Sequence, residues 1–429
     1  MRPDRGFRRV SRCHRTLDIE QPLRSNTMTV ERLRPYTVTI FAEMSALATE
    51  LGAVNLGQGF PDEDGPAAIL KVAQDAIAEG INQYPPGPGI PALRQAIAGQ
   101  RQRHYGTVYD PDTEVLVTVG ATEAIAASLI GLVEPGSEVL VIEPFYDSYS
   151  PVIAMAGSVR RSVPLVADGR GFAIDIAGLR RAVTPRTRAL ILNSPHNPTG
   201  AVASDAELRA IAALAVEHDL LVISDEVYEQ LVYSSPSGHR HRPIANYPGM
   251  AERTVTISSA SKMFNVTGWK IGWVCGSADL ITGVRAAKQY LTYVSGAPFQ
   301  PAVAHALNHE DAWVADLRDA YQAKRDRLSS ALAEIGFEVH DSPGTYFLCA
   351  DPRPLGYDES SAFCAELPHR SGVAAIPMSA FCDPAGAGLP ATSGRAPHAD
   401  LWNHLVRFAF CKRNDTLDEA IRRLQVLKL

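Results

Sequence analysis

The chain has 429 residues, more than one hydrophobic core ordinarily supports, so two domains are expected. Hydrophobic residues make up 46% and charged residues 21%, with a net charge of −6, a soluble globular balance that gives no electrostatic case for nucleic acid or lipid as partner. The six cysteines form no C-x-x-C pair, the twelve histidines form no H-E-x-x-H motif, and there is no run of about 18 apolar residues. These features point to reduced thiols in a cytoplasmic protein with no metal site and no membrane span.

In chain order, residues 1–27 are arginine-rich without an apolar stretch, so they are no secretory signal. They read as a disordered extension or a start-site artefact. Residues 28–59 read as an N-terminal arm that forms part of a small domain, and 60–310 as the large domain. From about residue 115 short apolar runs alternate with amphipathic stretches. EVLVTVG (114–120) predicts a strand and ATEAIAASLIGLV a helix. EVLVIEP (138–144) and RALILNSP (188–195) predict further strands. The helix SDAELRAIAALAVEHD follows, with Ser204 as its N-cap. LLVISDE (220–226) and RTVTISS (253–259) complete the series. His239 and His241 fall in the polar loop SSPSGHRHRP, where a solvated position is expected. After residue 310 a long charged helix leads to FEVHDSPGTYFLCAD and HLVRFAFCKR, which predicts a small α+β domain over 311–429. The Pro/Gly/Ala stretch 383–398 reads as a surface loop.

Nearly continuous Val/Ile/Leu strands separated by helices predict an α/β fold, with a mainly parallel central sheet covered on both faces. Chemistry in such sheets gathers beyond the C-terminal ends of the strands. Four segments lie there: Gly120–Thr122, Asn193–Gly200, Asp225–Tyr228 and Ser259–Lys262. Each alone has an ordinary explanation. Asp225 and Tyr228, on one face of a starting helix, suit its dipole; NSPHNPTG suits a turn; GATEAI suits a tight helix entry. Lys262, in ISSASKMFNVTGWKIGW, would ordinarily be a surface lysine.

Together they describe something else. An amine attacks a carbonyl only when neutral, so a buried lysine near Lys270 has the surroundings of a nucleophile. An acid at Asp225, a phenol at Tyr228, an amide at Asn197 and a phosphate cup at the start of a helix complete a site for pyridoxal 5′-phosphate. The motifs S-x-S-K-x-F-x-x-x-G-W-K-x-G-W, N-P-x-N-P-T-G, D-E-V-Y and V-R-F resemble those of the class I aminotransferases of the fold-type I pyridoxal phosphate family, from about residue 30 onward.

The resemblance implies roles. Lys262 forms the Schiff base and moves the proton at the substrate α-carbon, while Asp225 keeps the pyridine nitrogen protonated. Tyr228 and Asn197 bond the ring 3-oxygen. Ser259, Lys270, Ala121 and Thr122 hold the phosphate, with lysine at position 270 where many relatives have arginine. Tyr146 stacks on the ring, with neighbouring Phe145 as the alternative. Tyr84 reaches the phosphate of the other subunit, which implies a homodimer with composite sites. Arg407 clamps the substrate α-carboxylate, a bidentate task suited to arginine, and Gly59 admits the substrate to the backbone. An arginine facing water on an edge strand is the plainer reading of Arg407.

The implied activity is amino transfer between an amino acid and a 2-oxo acid. β-Elimination of cysteine S-conjugates uses related sites. The fold also serves as a non-catalytic ligand-binding domain in regulators, which would need a DNA-binding domain that 27 leading residues are too few to form. NLGQGFPDEDGP and EPFYDSY look most like two subgroups, the kynurenine/glutamine-type aminotransferases and the bacterial N-succinyldiaminopimelate aminotransferases. The actinobacterial form of the second is the better match.

Overall fold

The computed structural model describes residues 28–37, 39–234, 238–382 and 402–428. The expected extension 1–27 and the expected loop 383–398 lie outside these residues. Seven strands form the large sheet: Val115–Val119 (β1), Glu138–Glu143 (β2), Val159–Pro164 (β3), Thr187–Asn193 (β4), Leu221–Asp225 (β5), Thr254–Ser259 (β6) and Ile271–Cys275 (β7). Their order is β1-β7-β6-β5-β4-β2-β3. Only β7 runs against its neighbours; the other contacts are parallel. The sheet is thus mixed by a single strand, and all the strands anticipated from the sequence are present.

Two strands of this sheet were not anticipated. β3 reads VRRSVP and sits at the sheet edge, where its half-exposed arginines interrupt the apolar pattern. β7 reads IGWVC, and it returns the chain directly after the Lys262 segment.

Successive strand residues face opposite layers. Val139, Val141, Ile191 and Ile223 pack toward the Gly120–Leu132 and Ala278–Leu291 helices. Leu140, Ile142, Leu190 and Val222 pack the other way, against helix Asp205–Glu217 among others. Each such side chain contributes about 1.5–3 kcal/mol by leaving water. The Asp205–Glu217 helix starts as its sequence predicts: the Ser204 hydroxyl accepts from the Glu207 amide, and Glu207 accepts from the Ser204 amide.

The second sheet is antiparallel. Strands Glu338–Val339 (β8), Phe347–Asp351 (β9), Ile376–Pro377 (β10) and Val406–Ala409 (β11) lie in the order β8-β9-β11-β10. The 25-residue helix Asp311–Ile335 packs on it. Val54–Asn55 pairs with Val373–Ala374, and the Ala409 amide donates to the Leu56 carbonyl at 2.7 Å. This pairing carries residues 57–60 from the N-terminal segment to the edge of β11, beside the exits of the large sheet.

Candidate active site

All four strand exits open into one cavity of about 300 Å³ between the two sheets. Lys262 stands on a four-residue helix, Ala260–Met263, that begins where β6 ends. Its Nζ donates to the Gly59 carbonyl at 3.2 Å and lies 5.5 Å from the centre of the Tyr346 ring. Burial, reinforced by the positive charges of Arg407 and Lys270, lowers its pKa to about 8. Such an amine is still mostly protonated at neutral pH, yet its neutral fraction is far larger than that of an ordinary lysine. The Gly59 carbonyl also accepts from the Tyr346 hydroxyl at 2.6 Å, and a Cβ at Gly59 would lie 2.5 Å from the Phe347 ring. Close approach therefore requires glycine there.

Asp225 ends β5 and is buried. One carboxylate oxygen accepts from the Tyr149 hydroxyl at 2.6 Å and the other from the Val227 amide at 3.3 Å. Burial raises its pKa to about 6, against the lowering effect of those two bonds. Asn193, at the end of β4, donates from Nδ2 to the Asp225 carbonyl at 2.9 Å and accepts from the Asn197 amide at 2.8 Å. Tyr228 is buried edge-on to Tyr346, ring centres 5.2 Å apart, and burial pushes its phenol up.

One expectation fails here. Asp225 and Tyr228 do not open a helix: residues 227–230 form a turn. The Glu229 amide bonds the Glu226 carbonyl and the Leu231 amide bonds the Tyr228 carbonyl, after which Val232 bridges Gly344 in the second sheet. Glu226 and Glu229 both turn inward to the buried Arg101, which commits the backbone to the tight turn. His241, expected in solvent, is a second correction. Its side chain is 4% exposed, and Nε2 lies 2.9 Å from Glu226 in the same buried network. Glu226, Glu229 and His241 are close enough together to resemble a metal site, but Arg101 already bonds both carboxylates.

The phosphate end is built around Gly120, which has a φ of +70° and opens the 13-residue helix Gly120–Leu132. The positive φ turns the chain sharply out of β1, so that the first amides of the helix face the cavity. Ala121, Thr122, Ser259 and Lys270 line this end. Lys270 lies directly against Gly120: a Cβ there would be 3.3 Å from its Nζ. A helix N-terminus beside a lysine suits an anion. Of the adjacent aromatics, Tyr146 lines the cavity, whereas Phe145 points into the core under the Arg160 guanidinium.

Arg407 defines the opposite end. The plainer expectation, an arginine facing water at a sheet edge, is overturned: β11 is paired on both sides and Arg407 is 2% exposed. One terminal nitrogen donates to Asn197 Oδ1 at 2.9 Å and the other to the Gly57 carbonyl at 2.8 Å. The guanidinium stacks 3.9 Å from the Phe347 ring centre and 4.5 Å from that of Phe381. No carboxylate pairs with it among its hydrogen bonds, and its Nε has no partner among the described residues. Burial lowers its pKa to about 10.

Tyr84 is the one anticipated site residue outside the cavity. It is 80% exposed and packs edge-on against Tyr293. Sequence reasoning missed Tyr149, Asn193, Phe347, Phe41, Gln58 and Asp147, of which all but Tyr149 line the cavity. Tyr149 had a signal, standing three residues after Tyr146 in EPFYDSY. Phe41 and Phe347 had none, because only the pairing of distant segments brings them in.

The residues suit pyridoxal phosphate in polarity as well as in size. A cation-seeking carboxylate lies deep, a partly neutral amine faces the middle, anion-binding amides close one end, and a stacked guanidinium closes the other. Known proteins agree. The family model for aminotransferase class I and II matches residues 52–423. The probable N-succinyldiaminopimelate aminotransferase of Mycobacterium tuberculosis is 73% identical over 401 residues, covering 93% of this chain and 98% of its own. The methionine aminotransferase of Escherichia coli is 39% identical, covering 91% and 96%. The solved structure of N-succinyldiaminopimelate aminotransferase from Mycobacterium tuberculosis superposes with a TM-score of 0.88 at 72% identity, over 93% of this chain and all of that one. This chain therefore belongs to the class I and II aminotransferases, as a pyridoxal phosphate-dependent enzyme of fold type I.

Proposed function

We propose that this aminotransferase moves the amino group of glutamate to N-succinyl-2-amino-6-oxopimelate, giving N-succinyl-LL-2,6-diaminopimelate and 2-oxoglutarate, a step of lysine and diaminopimelate biosynthesis. One observation carries the choice of substrate: identity is 73% to the probable N-succinyldiaminopimelate aminotransferase and 39% to the methionine enzyme, at similar coverage.

The residue roles implied by the family resemblance are supported by the shared cavity. Pyridoxal phosphate, when bound, supplies an electrophilic carbonyl for the amine and a cationic ring that draws electrons from the substrate α-carbon. Lys262 would offer its amine to that carbonyl and would then take and return the α-proton. Asp225 holds the proton on the ring nitrogen, and its raised pKa marks how much the buried carboxylate gains from a cationic partner. Tyr228 and the Asn197 side-chain amide would donate to the ring oxygen, and Tyr146 would stack on the ring. Ala121, Thr122, Ser259 and Lys270 take the phosphate. Arg407 receives the α-carboxylate of both substrates, with Gly59 leaving space beside it. Arg407, Lys262 and Lys270 are the only cations among the described residues lining the cavity, and Gln58 is a neutral donor there for the distal part of the substrate.

We further read the chain as a cytoplasmic homodimer in which Tyr84 enters the partner's cavity, which accounts for a tyrosine 80% exposed beside Tyr293. The division into an arm at 28–59, a large cofactor-binding domain at 60–310 and a small domain at 311–429 is supported by the pairing of Val54–Asn55 with Val373–Ala374. The substrate is tested by comparing kcat/KM for N-succinyldiaminopimelate, kynurenine, glutamine and methionine, each with 2-oxoglutarate. N-succinyldiaminopimelate should lead. A preference above about tenfold for another, roughly 1.4 kcal/mol in the transition state, rejects the proposed substrate and leaves amino transfer intact. Continuing release of pyruvate from a cysteine S-conjugate without acceptor would identify a β-lyase instead.

A further inference from the structure

Tyr84 and Tyr293 form an edge-on pair outside the cavity, ring centres 5.4 Å apart, on segments 84–90 and 292–296. Two buried polar side chains join these segments. Lys288, 1% exposed near the end of the Ala278–Leu291 helix, donates from Nζ to the Gly87 carbonyl at 3.1 Å and the Tyr293 carbonyl at 2.5 Å. Gln300, also 1% exposed, accepts from the Ile90 amide at 2.8 Å and donates to the Ser295 carbonyl at 2.9 Å.

A lysine is costly to bury, and this one meets backbone carbonyls rather than a carboxylate. Tyr293 has a φ of +67°, a strained conformation for a bulky residue, and the Lys288 bond to its carbonyl holds it there. The second segment is rooted further in. The Thr292 hydroxyl donates to Glu123, whose other oxygen accepts from the Val119 amide at 2.6 Å, one residue before Gly120. Neither Lys288 nor Gln300 lines the chain's own cavity.

We propose that Lys288 and Gln300 are positioning residues that staple segments 84–90 and 292–296 into one platform, which presents Tyr84 to the phosphate end of the partner's cavity. The proposal rests on the composite-site reading above. Its signature is action in trans: the staple of one subunit serves the cavity of the other.

The test measures cofactor retention, by dialysis and visible absorbance, in Lys288→Met, Gln300→Met and Tyr84→Phe dimers, and in mixed dimers with Lys262→Ala subunits. In a mixed Lys288→Met and Lys262→Ala dimer, the only cavity with its amine belongs to the Lys288→Met subunit but receives Tyr84 from an intact platform. Each staple homodimer should release cofactor about tenfold more readily, the scale of one weakened phosphate hydrogen bond. The amine-bearing cavity of the mixed dimer should return to wild-type retention. Weakness that persists in the mixed dimer places the effect in the subunit's own cavity and overturns the proposal. Unchanged retention in both staple variants, with Tyr84→Phe weakened, overturns the staple while the composite site stands. Unchanged retention in Tyr84→Phe, or a monomer by sedimentation, ends the composite reading and the proposal with it. Hydrogen–deuterium exchange on the unaltered holoenzyme needs no variant: the two segments should open together, and independent opening overturns the platform.

Discussion

The two ends of the cavity are built differently. The cofactor-facing wall comes from successive exits of one sheet: Ala121 and Thr122 after β1, Asn197 after β4, Asp225 at the end of β5, Ser259 and Lys262 at the end of β6. The substrate-facing wall is a junction of Phe41, residues 57–60, Phe347 and Arg407, drawn together by the second sheet and its pairing with the N-terminal segment. A sheet fixes charge at short range and rigidly, which suits chemistry common to a whole family. A junction of remote segments can change one piece at a time, which suits substrate choice. Substitutions in the first wall should therefore lower turnover for every substrate, and those in the second, apart from the shared Arg407, should separate substrates.

The largest effect belongs to Lys262→Ala, which should lower kcat by about four orders of magnitude, because nucleophile and proton carrier leave together. The visible band of the purified protein should vanish with it. Retained turnover within about a hundredfold would move the chemistry elsewhere. Next comes Asp225→Asn, which keeps an oxygen for the Tyr149 bond but removes the charge. It should lower kcat about 10³-fold, with a much smaller change in cofactor retention, because the charge matters most as electrons reach the ring. Equal losses in both would make Asp225 an anchor only.

Arg407→Met fills similar space without charge. It should lower kcat/KM about a hundredfold for glutamate and for the second substrate alike, as two charge-assisted bonds to a carboxylate are lost. A loss confined to one substrate would show that Arg407 is not the part of the junction that both substrates share. The smallest effect is one of pH. The neutral fraction of Lys262 grows as pH rises through its pKa, so capture of pyridoxal phosphate by the apoprotein should accelerate with a midpoint near pH 8. A midpoint near the ordinary lysine value of 10.5 would show that burial and the charges of Arg407 and Lys270 do not act on the amine.

The same contrast governs what could be read from sequence. Strand exits announce themselves through local periodicity, so Asp225, Asn197, Ser259 and Lys262 were legible together, and the Ser204 cap with them. Arg407 was legible as a motif residue, yet its burial was not, because that depends on β9 and β10 pairing on either side. The turn at 227–230 was misread as a helix because the pull of Arg101 on Glu226 and Glu229 crosses more than a hundred residues. β7 left only a weak signal because it has five residues, one of them Gly272, and begins directly after the turn at Lys270. Phe41 and Gln58 left no trace, since position alone gives them a role.

The asparagines between the walls have one more consequence. The Asp225 carbonyl accepts from Asn193 Nδ2, Asn193 Oδ1 accepts from the Asn197 amide, and Asn197 Oδ1 accepts from Arg407. Every link has a fixed direction, so the Asn193 side-chain amide cannot rotate end for end without breaking two contacts, nor that of Asn197 without losing its bond to Arg407. With its oxygen engaged by the guanidinium, the Asn197 side chain has only hydrogens left to offer a cofactor ring in the cavity. The amide acts as a polar ratchet, ensuring that the clamp for one ligand and the donor for the other are set by a single orientation. An aspartate at 197, though nearly identical in shape, would offer the ring no hydrogen and would hold Arg407 with the charge meant for substrate.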